Sequence, residues 1–176
     1  MDADEARRVH LEAALDALPH LAGGPVVDVG TGGGSPGVPL AAARPDLHFD
    51  LLEATRKKCE FLEPFARELG NASVVCARAE EHGLAAGRDA YGTAVARALA
   101  PPPVAAEWCL PLVREGGRVV LFVGPSANAD AVAEAARQVA GEVEATPRGF
   151  VILRKTGPTP DRFPRRPGLA RKRPLA

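Results

Sequence analysis

Val26-Val27-Asp28-Val29 runs directly into Gly30-Thr31-Gly32-Gly33-Gly34-Ser35-Pro36-Gly37. Glycines gather where a chain turns sharply out of a strand and where backbone must touch a ligand. The helix after such a turn aims free N–H groups, and the positive end of its dipole, at the bound molecule. Gly32-x-Gly34-x-x-Gly37 fits the dinucleotide fingerprint, so a nicotinamide cofactor is one reading. Asp28 favours another. Its carboxylate would repel a pyrophosphate but stabilise the ammonium of S-adenosylmethionine; its alternative role is structural, within the turn. Glu53 ends the next apolar run, 23 residues after Gly30. Its two oxygens can accept both ribose hydroxyls of either cofactor. Ala79-Glu80 follows the third run, where a backbone amide and a carboxylate could read an adenine edge or form a solvated turn. Arg97 ends the fourth run, where a cation is costly unless it has work to do. His82 lies near the same rim and reads more readily as a surface residue. His10, His20 and His48 belong to no constellation.

The elements that must carry these residues follow from periodicity. Residues 3–18 place Val9, Leu11, Ala14, Leu15 and Leu18 at helical spacing. Strands are expected at 26–29, 47–53, 73–77, 93–97, 118–123, 141–146 and 150–154. Helices are expected at 38–43, 56–69 (with Phe61, Leu62, Phe65 and Leu69 on one face), 101–113 and 129–139. Alternating strands and helices imply a parallel sheet covered on both faces. The last two strands, joined through Pro147-Arg148-Gly149, should form an antiparallel edge pair. That ending separates a class I methyltransferase sheet from a dinucleotide dehydrogenase.

Composition narrows the class. A chain of 176 residues, 46% apolar and 25% charged, suits one core. Its apolar runs fall far short of the ~20 residues of a membrane span, and MDADEARRVH is no secretory signal. A cytoplasmic protein is expected. Cys59, Cys76 and Cys109 are widely spaced and odd in number, so reduced thiols are expected, with neither a zinc site nor a disulfide. The formal net charge is zero, yet residues 154–176 hold eight Lys and Arg and one acid, Asp161. The domain expected at 1–156 therefore ends in a basic Pro/Arg-rich tail, 157–176, that is either a phosphate-binding arm or a solubilising end.

VVDVGTGGGSPGVPLA, LLEATRKKCEFL, ARAEEH, VARALAPP and RRPGLARKRPL, in that order, resemble the bacterial 16S rRNA guanine-N7 methyltransferases, the glucose-inhibited division protein B family. The match runs from about Leu11 to Leu175, as an N-terminally shortened member. The resemblance implies a Rossmann-like class I S-adenosylmethionine-dependent methyltransferase fold: a mainly parallel seven-stranded α/β sheet with an antiparallel edge pair. It implies methyl transfer to nitrogen-7 of one guanine, with 16S rRNA or the small ribosomal subunit as partner and the protein acting as a monomer. It assigns cofactor contacts to Gly30, Ser35, Ala79, Glu80 and Arg97, beside Asp28, Gly32, Gly34 and Glu53 from the loop chemistry. Arg97 is the residue expected to orient the acceptor or the cofactor carboxylate. Three positions depart from the family pattern: Ser35 replaces a large aliphatic, Glu53 an aspartate and Val123 a lysine. Family members also carry a helical segment before the position of Leu11 that is expected to help close the cofactor site and grip RNA. A methyltransferase on a small molecule or protein, and a non-catalytic S-adenosylmethionine- and RNA-binding paralogue, are the other readings.

Overall fold

The computed structural model describes residues 3–176, apart from the side chains at 3, 4, 6, 7 and 9. The expected Val9 contact therefore lies outside the described residues. The elements are α1 (Ala3–Leu15), β1 (Val26–Val29), α2 (Gly37–Ala43), β2 (Phe49–Glu53), α3 (Arg56–Leu69), β3 (Ala72–Cys76), α4 (Ala79–Gly83), β4 (Tyr91–Ala96), α5 (Pro102–Cys109), β5 (Val113–Phe122), α6 (Ala129–Gln138), β6 (Gly141–Ala145), β7 (Phe150–Lys155) and α7 (Leu169–Lys172). One seven-stranded sheet runs β3-β2-β1-β4-β5-β7-β6. β1 to β5 pair in parallel, and β7 pairs antiparallel with both β5 and β6.

Strand alternation sorts the core into two layers. Val26, Val95, Val120 and Ile152 meet Leu40 and Ala41 of α2 on one face. Val27, Val29, Ala94, Val119, Leu121 and Leu153 meet Ala105, Ala106, Val132 and Ala136 of α5 and α6 on the other. The chain moves outward from β1 to β3 and then returns to lay β4 on the other side of β1. Such a reversal opens a crevice at the carboxyl ends of the strands. Gly30, Ala54 and Arg97 follow β1, β2 and β4 at that edge.

Several expectations need correction. The α3 face that packs inward carries Cys59, Leu62 and Ala66, while Phe61 and Phe65 are exposed and stack on each other. The buried stripe is thus rotated by about a fifth of a turn from the apolar face read in the sequence, at 3.6 residues per turn. α5 stops at Cys109, because Leu110-Pro111-Leu112 tightens into a 3-10 turn; a proline there has no N–H for a continuing helix. β5 then starts at Val113, well before the expected Arg118. Cys59, in the first turns of α3, and Cys76, at the end of β3, form a disulfide with Cα atoms 5.9 Å apart, against the reduced thiols expected. The start of α3 and the end of β3 lie at the same edge of the sheet, because α3 runs back between two parallel strands, and this brings together side chains that sequence separation alone keeps apart. Cys109 is free and buried.

The basic tail packs onto the body. Lys155 is fully buried, and its ammonium donates to Asp89 Oδ1 (2.8 Å), Thr159 Oγ1 (2.6 Å) and the carbonyls of Leu110 and Val113. Arg88 donates to the carbonyls of Phe163 (2.6 Å) and Thr159 (2.8 Å). Phe163 and Ala170 are core residues. Lys155 is thus a structural cation, and Arg154 pairs with Glu142. Lys155 is not available as the phosphate contact that composition suggested.

Candidate cofactor and acceptor site

Two cavities open at the carboxyl edge. The first, about 330 Å³, is lined by Gly30, Glu53, Ala54, Lys58, Ala77, Ala79, Glu80, Leu99, Trp108 and Arg171, among others. Gly30 has φ +70°, and a Cβ there would come within 2.4 Å of Leu99 Cδ1. Glycine is what keeps the cavity floor both unstrained and open. Glu53 is buried, and its carboxylate braces the loop: Oε2 accepts from the Gly32 amide at 3.1 Å and Oε1 from the Thr55 amide at 2.8 Å. Burial pushes the Glu53 carboxyl up, but the Thr55 bonds, Lys58 and the Gly32 amide outweigh it and hold it below its ordinary value. Each oxygen keeps a lone pair for a further donor. Glu80 is buried at the start of α4, and its Oε1 accepts from the Gly168 amide at 3.0 Å.

Asp28 sits behind this cavity and does not line it. Its Oδ2 accepts from the Gly37 amide at 2.8 Å, at the first residue of α2. A Cβ on Gly37 would meet that oxygen at 2.7 Å, so glycine is required for the approach. Burial raises the Asp28 carboxyl to about 6, against the Gly37 amide bond that pulls it down. Asp28 Oδ1 and Thr31 Oγ1 are buried without a hydrogen-bond partner. The geometry gives Asp28 the work of holding the glycine loop against α2, which is the structural alternative raised for it.

The second cavity, about 690 Å³, is lined by Asp16, Arg97, Ala98, Phe122, Val123, Gly124, Arg148 and Gly149, among others. Ala98 borders both cavities. The Arg97 guanidinium lies 5.9 Å from the Phe122 ring centroid and donates to Ser35 Oγ at 3.3 Å. Its other terminal nitrogen is 3.0 Å from His10 Nδ1. Arg97 and Ser35 are therefore brought together, beside the second cavity and apart from the walls of the first one. His10, given no role by its sequence context, meets Arg97 across 87 positions. His82 turns away from this edge and bonds Tyr91 Oη at 2.7 Å; Tyr91 in turn donates to Asp50. Leu99, Trp108, Phe122, Arg148 and Arg171 are site-lining residues that sequence reasoning missed. The closing RRPGLARKRPL segment was the one signal that could have led to Arg171. No cluster of His, Cys, Asp and Glu suited to a metal occurs among the described residues.

Sheet order, the antiparallel edge and a glycine-floored cavity at the reversal define a class I S-adenosylmethionine-dependent methyltransferase. Solved structures share that architecture. Coclaurine N-methyltransferase, bound to N-methylheliamine and SAH, is 19% identical with a TM-score of 0.56 over 69% of this chain and 37% of its own. A putative transferase from Pyrococcus horikoshii is 13% identical with a TM-score of 0.65 over 88% and 64%. The family follows from sequence. The model of the family described as rRNA small subunit methyltransferase G matches residues 2–149. A relative named ribosomal RNA small subunit methyltransferase G, from Pelotomaculum thermopropionicum, is 40% identical over 92% of this chain and 74% of its own. The chain belongs to this family.

Proposed function

We propose that this protein transfers the methyl group of S-adenosylmethionine to nitrogen-7 of a guanine in small-subunit rRNA. The observation that carries the reading is the pair of adjoining cavities, one suited to a nucleoside cofactor and the other walled by an aromatic ring and two arginines. The first fits the cofactor: Glu53 offers two oxygens to ribose hydroxyls, the 79–80 segment offers a backbone amide and carboxylate to adenine, and Gly30 leaves room for the chain leading to the sulfonium. That cofactor supplies an electrophilic methyl carbon when bound.

The remaining chemistry is placement. Guanine N7 carries an exposed lone pair, so no proton has to leave before attack and no general base is needed. Phe122 offers a flat face for the purine, and Arg97 and Arg148 offer cations to its carbonyl edge or to flanking phosphates. The base must be unstacked to enter. Holding the lone pair in line with the methyl group can supply roughly 7–11 kcal/mol of barrier reduction. Lys172, Arg173 and Arg166 are exposed on the tail and available to phosphates, which position RNA without reading sequence. A monomer working in the cytoplasm is the corresponding reading. Among the described residues, large exposed apolar side chains are limited to Leu11, Phe61, Phe65 and Leu84, and no helix is long and apolar enough to cross a membrane.

The test is incubation with methyl-labelled S-adenosylmethionine and small subunits from a strain lacking the modification, followed by mass spectrometry of digested rRNA. Labelled 7-methylguanosine is expected. Cofactor binding without any label in rRNA would move the acceptor to another class of molecule.

A further inference from the structure

The C-terminal segment does more than cover the fold. Three contacts lead it toward the first cavity. Arg165 makes two bonds of 2.5 Å to the buried Glu107 carboxylate on α5. The Gly168 amide caps Glu80. α7 then sets Arg171 over the Trp108 ring, with its guanidinium carbon 5.3 Å from the centroid, and one nitrogen donates to the Leu99 carbonyl at 3.1 Å. Arg171, Trp108 and Leu99 all line the cavity, and the Leu99 side chain abuts Gly30. The Trp108 indole nitrogen is buried with no partner, so no hydrogen bond from the protein offsets its burial.

We propose that Arg171 is a cofactor-positioning residue: laid on Trp108 and tied to the Leu99 carbonyl, it closes the adenosine end of the cavity, so that the C-terminal segment is a wall of the cofactor site. This rests on the reading of that cavity as the S-adenosylmethionine site. The guanidinium lies over Trp108, and Arg171 is among the residues that line the cavity. A planar, delocalised cation suits a purine ring better than the point charge of a lysine. Arg171 also holds Leu99, and through it the space above Gly30 where the methionine chain of the cofactor must pass.

Trp108 is the chain's single tryptophan, so its fluorescence reports the site directly. The full-length protein would be titrated with S-adenosylhomocysteine by calorimetry and by Trp108 emission. Arg171→Ala is expected to weaken binding about 2- to 5-fold, the range an exposed cation–ring contact supports. Arg171→Lys should recover only part of that loss. Arg67→Ala, exposed at the end of α3 and outside the cavity, should leave affinity unchanged. In turnover, Arg171→Ala should raise the KM for S-adenosylmethionine while kcat at saturation stays within about twofold. A purely structural Arg171 would instead lower the unfolding temperature of the cofactor-free protein with affinity intact. That result, or wild-type affinity in Arg171→Ala, overturns the inference and leaves the cofactor reading standing. Absence of any binding by the wild-type protein overturns both.

Discussion

Replacing Glu53 by glutamine tests whether its carboxylate holds the ribose. In the folded protein each oxygen already accepts one loop amide, from Gly32 at 3.1 Å and Thr55 at 2.8 Å. Two lone pairs remain for two hydroxyls. Bonds to a charged acceptor contribute about 1.5–3 kcal/mol each, roughly twice the neutral value. Glutamine keeps the volume but loses the charge. It also turns one acceptor into an NH₂ group that faces a loop amide donor, so one brace becomes a repulsion. A combined loss of about 1.4–2.8 kcal/mol is expected, a 10- to 100-fold rise in the Kd for S-adenosylhomocysteine by calorimetry. Glu53→Asp retains the charge on a shorter arm and should lose less. The decisive arm uses the 2′-deoxy analogue. Wild-type protein should bind it more weakly than the parent compound, and Glu53→Gln should discriminate far less between the two. An affinity change under twofold in Glu53→Gln, or equal discrimination by both proteins, would refute the ribose role and leave Glu53 as a brace of the loop alone.

Two further predictions concern the frame around the site. Lys155→Ala removes a fully buried ammonium and strands Asp89 and two carbonyls, so it should cost about 3–5 kcal/mol, or roughly 6–20 °C in unfolding temperature for a domain of this size. A loss under about 1 kcal/mol in urea titration would show that water replaces it. Asp28 sets a pH dependence. Its folded value, about 6, lies above the usual 3.8, so the folded state binds the proton more tightly and this contribution to stability falls as pH rises from about 4 to 6, by about 3 kcal/mol in all. Glu53 and Asp89 titrate below their ordinary values and act in the opposite sense, but they cancel when Asp28→Asn is compared with wild type. The stability difference between those two proteins should therefore change across pH 4–6; parallel curves would place the Asp28 carboxyl at its ordinary value.

Much of the fold was legible in the chain, because a parallel sheet buried on both faces writes itself as short apolar runs bounded by glycine and proline. Val26–Val29, the helix at 56–69 and the closing hairpin fall where periodicity put them. The glycine loop was equally legible, since φ of +70° at Gly30 and the close approach of Asp28 to Gly37 restrict residue type directly. The rotation of the α3 stripe was not. Cys59 and Ala66 pack inward because the sheet lies on their side, whereas Phe61 and Phe65 find their best contact in each other. The tail was the largest gap. A run of Pro and Arg has no periodicity to read, and its cations look alike until partners are assigned.

Local chemistry in the sequence pointed to a nucleoside cofactor at a glycine loop, with Glu53 ending the neighbouring strand and Arg97 following the fourth. Tertiary structure decided which charges are free. Burial and partner geometry make Lys155 a structural post and Arg165 a clamp, place Arg171 over Trp108, and set Asp28 behind the loop. The energy of each charge depends on its distance to opposite charges and to water, and both are properties of the folded chain that no local spacing contains.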